Sequence, residues 1–105
     1  MKKVMNAGLG LLMATAIAAP TQAEDVKIGM ITTLSGGGAH LGVDARDGFM
    51  LAIEQAGRDD VEVLIQDDAQ KPDVAKSLAD EFVQRENVDI MTGIIWSNLA
   101  MAVVP

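Results

Sequence analysis

The chain has no cysteine, one histidine, one tryptophan and only eight basic side chains in 105 residues. Without cysteine it cannot carry a disulfide framework, a thiolate metal site or a lipid-modified N-terminal cysteine. With His40 as the sole histidine, no histidine cluster is available for metal ligation or for a triad, and no metal is expected. The basic residues are also unevenly placed. Lys2 and Lys3 open the chain, so from residue 24 onward Lys27, Arg46, Arg58, Lys71, Lys76 and Arg85 face all fifteen carboxylates, a formal charge of −9. Such an acidic surface repels nucleic acid and anionic lipid, and neither is expected as a partner.

A long apolar run is missing as well. The almost uncharged stretch from Ala7 to Ala19 falls short of the roughly 20 residues that cross a bilayer. It follows the two lysines and ends in Pro20-Thr-Gln-Ala23, with small residues where a signal peptidase reads the chain. Residues 1–23 therefore read as a secretory signal peptide, cleaved before Glu24, with no membrane anchor. An exported chain has no dependable supply of nucleotide or nicotinamide, and no cofactor is expected. The remaining 82 residues can bury only a modest core. They end in the apolar run Asn98-Leu-Ala-Met-Ala-Val-Val-Pro105 with no closing element, which reads as the N-terminal fragment of a longer protein.

From residue 26 the pattern alternates. Val26 to Thr32 is β-branched and apolar, the pattern of a buried strand, and a glycine-rich loop follows from Thr33 to Leu41. Between Gly42 and Ala56, Ala45, Phe49, Ala52, Ile53 and Ala56 recur at helical spacing. Val61 to Gln66 reads as a second strand closed by Asp67-Asp68. Pro72 and Asp73 suit the first turn of a second helix, whose stripe of Val74, Ala75, Leu78, Ala79, Phe82 and Val83 runs to about Arg85. A third strand is expected over Val88 to Thr92, and a third helix from Ser97. This order predicts an α/β fold, a doubly wound parallel sheet of strand order 2-1-3 with helices on both faces. Its switch point lies between strands one and three, so a ligand is expected at the loops Thr33 to Leu41 and Gly93 to Ser97.

Gly36, Gly38 and Gly42 form a loose glycine pattern, with Asp67-Asp68 near the place of a ribose-binding acid. Its spacing departs from the dinucleotide fingerprint, and the loop reads instead as a turn whose backbone can approach a ligand closely. Asp67-Asp68 is expected as a solvated strand end or helix cap; as a catalytic pair it has no base, oxyanion hole or metal beside it. Ser97 occupies the expected N-cap of the third helix, where its hydroxyl and neighbouring amides suit an anion. Trp96 either walls an apolar ligand or packs under the sheet. His40 is either an exposed loop residue or a ligand contact.

Several ordered segments together carry a resemblance: Val26-Lys-Ile-Gly-Met-Ile-Thr-Thr-Leu-Ser-Gly36, Leu41-Gly followed by Asp47-Gly-Phe49 and Ala52-Ile53, Gln66-Asp-Asp68 with Pro72 and Ala75, and Thr92-Gly-Ile-Ile-Trp-Ser97. Over residues 26–105 the chain resembles the periplasmic leucine/isoleucine/valine-binding protein family, the substrate-binding components of ABC importers. The resemblance implies two α/β lobes that close on a ligand, with residues 24–105 as the first part of lobe one, a periplasmic location, an inner-membrane permease as partner and no enzymatic activity. It places Ser97 at the serine that holds a ligand carboxylate, and Ile95 and Trp96 in the pocket wall. Leu41 stands where the family often has an aromatic side chain. That departure, with Trp96 just before the serine, resembles the subgroup that binds aromatic carboxylates such as benzoate, as against a branched-chain amino acid. A sensory ligand-binding domain of the same architecture and an exported enzyme are the competing readings. A downstream membrane span would mark the first, and turnover by the full-length protein the second.

Overall fold

The computed structural model describes residues 25–105; the expected leader, residues 1–23, lies outside them. The elements run β1 (Val26–Thr32), α1 (Ala39–Gln55), β2 (Val61–Asp67), α2 (Pro72–Glu81), a π-helical segment over Phe82–Glu86, β3 (Ile90–Thr92) and α3 (Ser97–Val103). All strand pairs are parallel, in the order β2-β1-β3. The 2-1-3 arrangement expected from the alternating pattern is the one observed. β1 pairs with β2 along its whole length, Val26 opposite Val61 through Thr32 opposite Asp67. β3 meets only its middle, Ile28 opposite Ile90 to Met30 opposite Thr92.

The central strand carries the core because it has a neighbour on each side. Met30 and Ile31 are both fully buried, one on each face of the sheet. On the Ile31 face, Ala75, Ala79, Phe82 and Leu99 form the core cluster, with Leu64, Leu78, Val88, Ile94, Trp96 and Val103 against it. Ala75 and Ala79, one helical turn apart, let α2 approach the sheet closely. Gly29 does the same from the strand: a Cβ there would lie 2.5 Å from Cδ2 of the Phe82 ring. Right-handed crossovers put α1 on the opposite face. There the expected apolar stripe is only half realised, since Phe49 and Ile53 are half-buried whereas Ala45, Ala52 and Ala56 are exposed.

Two boundaries differ from the periodicity. The first helix begins at Ala39, three residues before the expected Gly42, so the loop after β1 is shorter and His40 and Leu41 lie in the first helical turn. Gly42 is there to let the helix touch the strand end: a Cβ on it would sit 1.7 Å from the Thr33 carbonyl oxygen. The third strand begins at Ile90, not Val88. Asn87 adopts a left-handed conformation (φ 54°), and the Val88 N–H donates back to the Phe82 carbonyl, closing the helix instead of opening a strand.

Candidate functional site

Parallel register brings the three strand-end loops together, and the residues just past β1 and β2 meet first. Because Thr32 stands opposite Asp67, the next pair along is Thr33 and Asp68, and both are completely buried. The Thr33 hydroxyl donates to Asp68 Oδ1 at 2.6 Å, and the Trp96 indole N–H donates to the same hydroxyl oxygen at 2.8 Å. One hydrogen-bonded line therefore crosses all three loops, from Trp96 after β3 through Thr33 after β1 to Asp68 after β2.

The carboxylates also shape their own loop. Asp67 Oδ1 accepts from the amides of Leu34 and Ala69, both at 2.8 Å, and Asp68 Oδ1 accepts from the Gln70 amide at 2.8 Å. These short returns hold Ala69 (φ 51°) and Gln70 (φ 60°) in the left-handed region, which costs a side-chain-bearing residue roughly 1–2 kcal/mol. Hydrogen bonding from the Ser35 hydroxyl, and then from the Leu34, Ala69 and Ser35 amides, outweighs burial and holds the Asp67 carboxyl below the usual carboxylate range. The expectation of a solvated Asp67-Asp68 strand end is thus corrected for Asp68. Its burial follows from register, and a wholly buried carboxylate, with Oδ1 bonded to Thr33 and Gln70, is closed to a ribose.

Trp96 is half-buried and bridges toward the start of α1. A Cβ at Gly38 would fall 2.6 Å from Trp96 Cζ2 and 3.2 Å from Gln70 Oε1, so this glycine is the point where side chains from the other two loops converge. Trp96 packs on the core cluster, and its indole N–H reaches Thr33 at the strand ends. Ser97 is exposed and is the first residue of α3, not its N-cap. The cap position falls to Trp96, whose extended backbone (φ −98°, ψ 132°) aims its carbonyl at the amides of Leu99 and Ala100. The Ser97 hydroxyl makes no capping bond and is left available. Ile95 is half-buried and outside the core cluster, where its neighbour Ile94 is used instead. His40 and Leu41 are exposed on α1, two and three residues beyond Gly38. Of the five expected site residues, only Trp96 makes a side-chain hydrogen bond across the loops.

The sequence reading missed Thr33 and Gln70. The sequence carries no signal for the Thr33–Asp68 pair: with the second strand read as ending at Gln66, the residue just beyond it is Asp67, and the observed register is what sets Thr33 beside Asp68. A cavity of about 330 Å³ lies elsewhere, beside β3 and under α3, lined by Ile31, Met91, Ile94, Ala100, Val103 and Val104 among others. With no charged or basic group in its wall it does not suit a carboxylate. Among the described residues no group of His, Cys, Asp and Glu is placed to hold a metal, and no helix is long and apolar enough to cross a membrane.

An open parallel layer with its loops gathered at the switch point is the architecture of a ligand-binding α/β lobe. The family model described as periplasmic binding protein matches residues 25–105, and the chain belongs to that family. Its members are solute-binding proteins, which are not enzymes. Among solved structures, an ABC transporter substrate-binding protein from Sphaerobacter thermophilus is 36% identical, with a TM-score of 0.71 over 76% of this chain and 23% of its own. A solute-binding protein of an ABC transporter from Rhodopseudomonas palustris, solved with 3,4-dihydroxybenzoic acid, is 30% identical, with a TM-score of 0.74 over 77% of this chain and 23% of its own. An ABC-type branched-chain amino acid transporter protein from the same species is also 30% identical, with a TM-score of 0.72 over 77% and 24%. The chain thus spans about a quarter of the length of these structures. A comparison with curated proteins finds no significant match.

Proposed function

We propose that this chain is the first part of lobe one of a periplasmic solute receptor that delivers a small carboxylate to an ABC permease, without catalysing a reaction. Residues 1–23 act as its export signal. The observation that carries the reading is Ser97: an exposed hydroxyl, free of capping duty, at the first position of α3 and directly after the indole that borders the crevice. The ligand carboxylate accepts from this hydroxyl and from first-turn amides that lack partners within the helix. Trp96 and Ile95 form the wall, and Leu41 and His40 face the ligand from the start of α1. The relatives support a carboxylate ligand, since one was solved with a dihydroxybenzoic acid and another is described as a branched-chain amino acid transporter. Ligand binding shifts the full-length protein toward a closed form, which the permease recognises.

Calorimetric titration of the full-length protein with benzoate, 4-hydroxybenzoate and leucine tests this. At least one should bind, and Ser97→Ala should weaken it about tenfold, the scale of a hydrogen bond to a charged group. No binding by the wild type, or equal affinity in the variant, would count against the assignment.

A further inference from the structure

The line Trp96–Thr33–Asp68 has one direction only. A hydroxyl has a single proton, and Thr33 donates its own to Asp68 Oδ1, so it can meet the indole only as an acceptor. The carboxylate thereby fixes the rotation of the hydroxyl, and the hydroxyl fixes the edge of the indole. Gly38 adds a second restraint on the same edge of the ring by lying against Cζ2, two bonds from the indole nitrogen. Asp68 carries a cost for this place: its Oδ2 is buried without a hydrogen-bond partner among the described residues.

We propose that Thr33 and Asp68 are positioning residues, which hold the Trp96 indole in one orientation and so fix the loop that presents Ser97, although neither touches the ligand. Both are wholly buried, and both lie in loops other than that of Trp96. The device ties the three strand-end loops into one rigid rim, so that the ligand meets a preformed wall instead of ordering one as it binds. Its ligand half rests on the receptor reading above; its structural half does not.

The test uses the full-length protein and two readouts: the indole ¹H–¹⁵N resonance of Trp96, assigned by its loss in Trp96→Phe, and affinity for benzoate and leucine. Thr33→Val keeps the shape and removes the hydroxyl. It should shift the resonance, speed its exchange with solvent and weaken ligand binding about tenfold, the scale of stranding a buried polar group. Thr33→Ser, which returns the hydroxyl, should recover most of both. Asp68→Asn keeps the shape with a weaker acceptor, and should move the resonance the same way by less; it decides the matter if Thr33→Val fails to fold. An indole resonance unmoved in both variants overturns the proposal. A freed indole with unchanged affinity overturns its ligand half, as does a wild type that binds neither probe, and in that last case the receptor reading falls too while the resonance still decides whether the line holds the ring.

Discussion

Replacing Gly42 by alanine pits a local rule against a tertiary contact, and the two predict opposite signs. Gly42 lies inside α1, where exchanging glycine for alanine ordinarily stabilises by up to about 1 kcal/mol. Here the new Cβ would stand 1.7 Å from the Thr33 carbonyl oxygen, 2.5 Å from its carbon and 2.9 Å from its nitrogen. Ordinary contact needs about twice the shortest of these distances, and neither partner is a flexible side-chain tip. The helix must therefore lift from the end of β1. Overpacking of this kind costs about 1–3 kcal/mol and sometimes more; with backbone on the receiving side the upper end applies, leaving a net loss of about 2 kcal/mol. Gly48 provides the control, since it lies in the same helix and a Cβ there meets nothing within 4 Å. Urea denaturation of the full-length protein, followed through the lobe-one transition, should give Gly42→Ala a lower midpoint and Gly48→Ala one equal to or above wild type. A midpoint for Gly42→Ala at or above wild type would refute the close approach. Thr33 also holds the buried hydrogen-bonded line, so Gly42→Ala should weaken ligand binding as well, whereas Gly48→Ala should not.

Two further outcomes follow from the same contacts. Gly29→Ala drives a Cβ against the Phe82 ring rather than against backbone, so its loss should be smaller, about 1–2 kcal/mol, and Phe82→Leu in the same chain should recover part of it in urea melts. The lowered carboxyl of Asp67 contributes stability that is complete well above its ordinary value of 3.8 and is lost as pH falls through the depressed one. Asp67→Asn should therefore lower stability near neutral pH and flatten the acid limb of a stability-against-pH curve. An unaltered acid limb would mean that Asp67 is not held in this way.

The layers of the fold were legible because hydrophobic period and the succession of elements along the chain are read locally. Val26 to Thr32 and Pro72 with its alanine and phenylalanine stripe already imply a strand and a helix that must cover it, and short right-handed crossovers leave little choice of order. The boundaries that went astray are those set by a second segment. Gly42 reads as the edge of a loop until the Thr33 carbonyl is seen beneath it. Val88 reads as strand until its amide is found to serve the Phe82 carbonyl. Ser97 has the chemistry of an N-cap, yet the extended backbone at Trp96 moves that role back one residue and leaves the hydroxyl unspent.

The site divides along the same line. The residues proposed to face a ligand, Trp96 and Ser97, announce themselves by type and by position at strand ends. Residues that hold those in place do not, because a threonine and an aspartate after two separate strands look like solvated ends until register is known. Once Thr32 is opposite Asp67, Thr33 and Asp68 have no other place to go, and burial turns them from solvated side chains into a fixed hydrogen-bonded line that reaches Trp96. In a parallel sheet the residue just beyond each strand is accordingly the position to read in pairs: where one can donate and its neighbour can accept, they tie their loops to each other before any ligand arrives.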